Sequence, residues 1–199
     1  MEDTNTRLVG IDYGSKLAGT TAIAFKNEKG QIEIIQSEKK ADADEFILNF
    51  CGKQKITLLM LDCPLSLPGV YKNPKKFNDY FYRACDKELK AMSPMFLGGL
   101  TARGMKLNAS LNKQGTTVIE TYPSALVDHL ALGQFGYKKD KEMIKKYMRY
   151  LKQKVPIKLQ KSPSNWHQVD ALMAYVSGIR NLAKEAMVYG NKTEGLIVI

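Results

Sequence analysis

The stretch RLVGIDYG, residues 7–14, is a short apolar run that stops on a carboxylate, Asp12, just before a Tyr-Gly turn. The pattern recurs: ITLLMLDCP ends its apolar run on Asp62, and TTVIETYP ends on Glu120. Burying a carboxylate at the end of a strand is unfavourable unless it is paired, so packing does not account for three of them. In open α/β sheets the carboxyl ends of the strands are also where ligands bind. A fourth acid, Asp170, lies inside NWHQVDALMAYVSGIRNLA, whose apolar spacing predicts a helix. Asp12, Asp62, Glu120 and Asp170 together form a candidate site.

Working outward, Arg7–Tyr13, Thr20–Phe25 and Gln31–Gln36 read as three strands, the last two joined by the turn Asn27-Glu28-Lys29-Gly30. Connections this short join antiparallel neighbours, so the three form a meander. Asp42–Lys53 carries Phe46, Ile47 and Phe50 at helical spacing, and Ile56–Leu61 is the unbroken apolar run of a strand buried on both faces. A helical crossover from the edge of a meander returns this strand parallel to the first one, on its free side. Asp12 and Asp62 then sit on adjacent strand ends.

Residues 63–114 read as a helical insertion or cap beside that edge. Pro64, Pro68, Gly69 and Pro74 mark a loop, and Lys75–Met92 looks helical. Pro94 and Gly98-Gly99 then interrupt the chain before a helix over Thr101–Leu111. Thr116–Thr121 is the fifth strand, and Ser124–Leu132 and Lys139–Lys154 are helices. The last helix starts near Ser162-Pro163-Ser164, and the terminal GLIVI suits a final short strand. The expected class is α/β, a mixed five-stranded sheet flanked by helices, with residues 1–199 in a single domain.

Lys and Arg outnumber Asp and Glu by 30 to 20, giving a net charge of +10 and a pI near 9.4. That balance favours a polyanionic partner such as nucleic acid, the alternative being a solvated basic surface. The start MEDTNTR is no secretory signal, and no apolar run approaches the ~18 residues of a membrane span. Cys51, Cys63 and Cys85 are odd in number and lack CxxC spacing, as expected for reduced thiols of a cytoplasmic protein without structural zinc. The oligomeric state is left open.

Oxygen-rich sets of two to four carboxylates suit Mg²⁺ or Mn²⁺, and such sites support hydrolysis of phosphodiester bonds. Each acid also has a plainer reading: Asp12 shaping a turn, Asp62 capping a loop, Glu120 pairing with a lysine, Asp170 meeting a helix dipole. Their joint placement is what favours a site. His167, one helical turn before Asp170, either reaches substrate or is an exposed helix-start histidine. Arg83 and Arg103, in the cap, are candidate substrate contacts. Lys141, Lys145 and Arg149 share a basic stripe opposite Met143, Tyr147 and Leu151, either a solvated face or a phosphate-binding one. Lys72, Lys75 and Lys76 interleave with Tyr71, Phe77, Tyr80, Phe81 and Tyr82, a mixture suited to stacking bases and gripping phosphates, although core packing accounts for some of the rings.

GIDYG, LDCPLSLP, RACD, IETYPSA and VDAL, in this order, resemble the motifs of the predicted nucleases of ribonuclease-H-like fold known as the domain of unknown function 429 family. The resemblance runs from Leu8 to about Ala183 and extends to the tail EGLIVI. It implies a sheet ordered 3-2-1-4-5, places Asp12, Asp62, Glu120 and Asp170 on the family's presumed catalytic acids, and sets Arg83 and Asp86 on a further motif. It implies a metal-dependent nuclease acting on DNA or RNA. The alternatives are a nucleotide-binding protein of the actin and sugar-kinase type, which opens on a similar strand and loop, and a nucleic-acid-binding protein without catalysis.

Overall fold

A computed structural model describes residues 6–199. Strands β1 (Leu8–Asp12), β2 (Ala22–Lys26) and β3 (Ile32–Gln36) form the antiparallel meander, and helix α1 (Ala43–Gln54) crosses back to β4 (Leu58–Asp62). Asp42 caps α1 by accepting the amides of Asp44 and Glu45. Strand β4 lies parallel to β1, and β5 (Thr117–Glu120) lies parallel to β4, so the order is β3-β2-β1-β4-β5. This is the expected mixed five-stranded α/β sheet, in the order that the motif resemblance implies.

Between β4 and β5 the chain forms α2 (Ala84–Leu89), α3 (Pro94–Leu97) and α4 (Gly99–Lys113). After β5 come α5 (Pro123–His129), α6 (Met143–Lys154) and α7 (Trp166–Leu182). Strand alternation divides the core in two. Leu8, Leu58 and Met60 point to the face covered by α5, α6 and α7, whereas Val9, Ile11, Leu59 and Leu61 point to α1 and α4. Every residue of α7 from Val169 to Gly178 is buried, because α7 lies across β1 and is itself covered by neighbouring helices. Gly10 makes that crossing possible: a Cβ there would stand 2.0 Å from the Tyr175 amide nitrogen.

Three expectations are corrected. Residues 75–83 are not helical; only Ala84–Leu89 is. The Asp79 carboxylate accepts the amides of Phe81 and Tyr82 at 2.8 and 2.9 Å, which replaces helical bonds with a local turn, and Arg83 is extended at ψ 166°. The final helix is capped by Asn165 rather than near Ser162, since Gln168 reaches back to Ser164 instead. The terminal strand β7 (Gly195–Val198) exists, but it pairs with a strand that the sequence reading missed, β6 (Val188–Asn191), in a separate two-stranded sheet. Among the described residues no helix is long and apolar enough to cross a membrane.

Candidate metal centre

Asp12 and Asp62 are register partners at the ends of β1 and β4, so their side chains leave the sheet on the same face. Asp170, in the second turn of α7, approaches from that face. One carboxylate oxygen from each of the three lies within 4.8 Å of the other two, and among the described residues this is the one group of three or more such ligands.

Each neighbour of the cluster is chemically specific. Asp12 Oδ2 lies 2.8 Å from His167 Nδ1, which raises the histidine's pKa chiefly through that hydrogen bond. The Tyr137 hydroxyl donates to Asp170 Oδ1 at 2.6 Å, and Lys138 Nζ lies 2.7 Å from Asp170 Oδ2. Burial acts to lower the pKa of Lys138, but Asp170, Asp62 and Asp12 together hold it above the ordinary value. The Asp62 carboxylate accepts no hydrogen bond among the described residues. Burial, then Asp12 and Asp170, push its pKa well above the usual carboxylate range. Burial likewise raises Asp170, against the pull of Lys138 and Tyr137. The donor set is all oxygen and one carboxylate lacks a protein partner, which fits a hard divalent cation such as Mg²⁺ or Mn²⁺.

Glu120 ends its strand but stands apart from this group. Its register partner is Leu61, so alternation sets its side chain out of phase with those of Asp12 and Asp62, although its charge still acts on Asp62. There it meets Arg83, whose NH1 and NH2 donate to Glu120 Oε2 and Oε1 at 2.8 and 2.6 Å. Glu120 also accepts the Leu65 amide at 2.8 Å. Burial raises its pKa while Arg83 opposes the shift.

Arg83, read from sequence as a substrate contact, is fully buried. Its remaining donors go to Asp86 and Ser66, so all five N–H groups are spent inside the protein. Arg83 and Glu120 therefore brace the loop that follows Asp62. The Glu194 carboxylate of the terminal hairpin adds to this brace by accepting the amides of Gly69 and Ala84.

Arg103 is partly exposed; it pairs with Asp44 at 2.6 Å, donates to the Gly14 carbonyl, and stacks over Tyr13, whose hydroxyl also donates to Asp44. It thus holds the turn after Asp12. Lys141, Lys145 and Arg149 are exposed around α6, opposite the buried Ile144, Tyr147, Met148 and Leu151. The sequence reading missed Tyr137 and Lys138. They sit on a loop 33 and 32 residues before Asp170, with no periodicity to mark them, and Lys138 adopts a positive φ of 55°.

The chain is thus a mixed α/β domain with sheet order 3-2-1-4-5 and carboxylates converging at the ends of two neighbouring strands. No family model and no curated protein matches it. One solved structure that resembles it is the yeast mitochondrial Holliday junction resolvase Ydc2, at a TM-score of 0.46 and 14% identity over 90% of this chain and 80% of that one.

Proposed function

We infer that this chain is a metal-dependent nuclease that hydrolyses phosphodiester bonds of DNA or RNA, and that it belongs with the domain of unknown function 429 nucleases its motifs resemble. The observation that carries the reading is the convergence of Asp12, Asp62 and Asp170, with Asp62 left without a protein partner. These three would hold Mg²⁺ or Mn²⁺; when bound, such an ion activates water and stabilises a leaving oxygen.

The chain's own groups fill the other roles. Asp12 and Asp62 are fixed by the central sheet, and Asp170 is oriented by Tyr137 and Lys138. His167, about half exposed and bonded to Asp12, is placed to exchange a proton with substrate or solvent. Lys138, also about half exposed, sets a cation beside the carboxylates where a phosphate would approach. Glu120 and Arg83 act on the site from below, by holding the loop after Asp62. Lys141, Lys145 and Arg149 supply a basic face for the nucleic-acid backbone.

The test is a cleavage panel of single-stranded, duplex, hybrid and branched substrates with Mg²⁺ or Mn²⁺, run beside Asp12→Asn and Asp62→Asn. Cleavage by the native chain that both substitutions abolish supports the reading. Activity that survives them refutes this site. Inactivity on every substrate together with tight ATP binding favours the nucleotide-binding alternative.

A further inference from the structure

The segment after Asp62 displays an unusual surface. Tyr80, Phe81 and Phe96 are 56%, 51% and 63% exposed, although burying a ring is strongly favourable and a folded chain usually hides most of each one. The rings are grouped rather than scattered. Phe81 and Phe96 have centroids 5.6 Å apart, and Tyr82 meets Phe96 edge-on at 6.0 Å. Tyr80 follows the same pattern with Tyr71, at 5.9 Å.

The backbone holds these rings outward. The Asp79 carboxylate fixes the amides of Phe81 and Tyr82, and the Ser93 hydroxyl donates to the Phe81 carbonyl. Their exposure is built into the fold and is not a frayed end. Pro94, Met95 and Gly98, which flank Phe96 in sequence, line an apolar cavity of about 390 Å³ together with Leu67, Ala102 and Met105, among others. Leu67 is five residues past Asp62, so one wall of the cavity lies within about 18 Å of the carboxylates even if the chain were fully extended.

The surrounding charge selects the occupant. Between Tyr71 and Met92 the exposed charged groups are Lys72, Lys75, Lys76, Lys87 and Lys90 against Glu88, with the partly buried Asp79 paired to Lys87 and with Arg83 and Asp86 in the interior. A patch for an apolar protein partner or a second copy has no need of this excess of lysine. Exposed π faces set among lysines, next to an apolar slot, match a polyanion whose flat rings are unstacked.

We propose that Tyr80, Phe81, Phe96 and the adjoining cavity bind the bases of unpaired nucleotides, so that the substrate class carries a single-stranded segment next to the bond to be cut. A duplex keeps its bases stacked and paired and offers this surface only its backbone. The inference rests on the nuclease reading and narrows its substrate.

The experiment measures binding of end-labelled oligonucleotides by fluorescence anisotropy, in EDTA so that no cleavage intervenes. It uses a single strand, a blunt duplex and a duplex with a single-stranded arm, for the native chain, Phe81→Ala with Phe96→Ala, and Ala102→Trp. Ala102 is exposed on the cavity wall, so a tryptophan there fills the slot without disturbing the core. Loss of a stacking ring costs on the order of tenfold in affinity for each base it carries. The double variant should therefore lose tenfold or more on the single strand and the armed duplex, and little on the blunt duplex. Ala102→Trp should weaken the same two substrates. Melting temperatures within a few degrees of the native chain confirm that the variants are folded.

Equal losses on all three substrates, or none, overturn the inference and leave the nuclease reading standing. A native chain that cleaves duplex while ignoring single strands does the same. A native chain that binds no nucleic acid removes both. Light scattering supplies the remaining arm: a native dimer that Phe81→Ala with Phe96→Ala converts to monomer would make the patch a self-interface and also overturn the inference.

Discussion

Replacing Asp62 by asparagine should stabilise the metal-free protein at neutral pH while removing its response to metal. Two full charges 4.8 Å apart repel by about 3.5 kcal/mol at an effective dielectric constant near 20, and three carboxylates share this space. Burial raises the Asp62 pKa first and the charges of Asp12 and Asp170 add to it, while Asp170 and Asp12 have Lys138 and His167 beside them. The sign then follows from linkage. A carboxyl whose pKa is raised by folding keeps its proton where the unfolded chain has lost it, so stability falls as pH climbs from the unfolded pKa toward the folded one. One retained proton gives a slope of about 1.4 kcal/mol per pH unit, hence at most about 2.7 kcal/mol between pH 5 and 7. In a chain of 199 residues that corresponds to roughly 5–10 °C in melting temperature. Thermal melts in EDTA across pH 5–8 should show this decline for the native chain and a flatter profile for Asp62→Asn. Millimolar Mn²⁺ should restore the native chain, by about 2.7 kcal/mol at a hundredfold excess over the dissociation constant, and leave the variant unmoved. Parallel pH profiles, or equal metal shifts in both proteins, would refute the assignment of Asp62 to the centre.

Three further outcomes are expected. Glu120→Gln leaves Arg83 buried with a weakened partner, so it should cost about 3 kcal/mol and lower the melting temperature by about 10 °C, yet retain the Mn²⁺ shift; a folded variant that loses the shift would return Glu120 to the ligand set. Lys138→Met removes a cation held against Asp170 and should tighten Mn²⁺ binding about three- to fivefold by titration calorimetry, the partly exposed pair being worth at most about 1 kcal/mol; weaker binding would show that Lys138 supports the centre instead of competing with it. Substituting alanine at Lys141, Lys145 and Arg149 should reduce the salt dependence of duplex affinity by about 2.7 in the slope of log K against log salt, and an unchanged slope would make the α6 stripe a solvated face.

The order of the first four strands was legible because it follows from connection lengths: a turn of four residues permits only an antiparallel partner, and a helical crossover permits only a parallel one, whereas the place of the fifth came from the motif resemblance. That reasoning also placed Asp12 beside Asp62, and the register partners agree. It did not reach the side-chain parity of β5. Val118 and Ile119 are both apolar and each faces a different half of the core, so no alternation marks which face Glu120 takes. The 75–83 segment misled for another reason. Its lysines and aromatics tolerate a helix, but one carboxylate, Asp79, captures two amides, and Arg83 must extend to reach Glu120. Residues fixed by such long-range polar contacts have no local pattern to read.

The pairing of charges explains why the four acids divide three to one. Glu120 is matched by Arg83, which is itself matched by Asp86, so this set is closed and fully bonded in the interior. A closed set of that kind fixes backbone, here the loop from Leu65 to Gly69, and has no capacity for a ligand. The other three acids are matched unevenly: Asp12 through one oxygen by His167, and Asp170 through both, by Tyr137 and Lys138, from groups that reach solvent or lie on a loop. Asp62, fixed by the sheet between them, is matched by nothing among the described residues. Rigid, closely spaced oxygens that lack protein donors favour a cation, whereas rigid oxygens whose hydrogen bonding is met inside the protein do not. Which face of the sheet an acid leaves thus sets whether it joins the three-carboxylate cluster or the Arg83 brace, and a shift of one residue along β5 decides it.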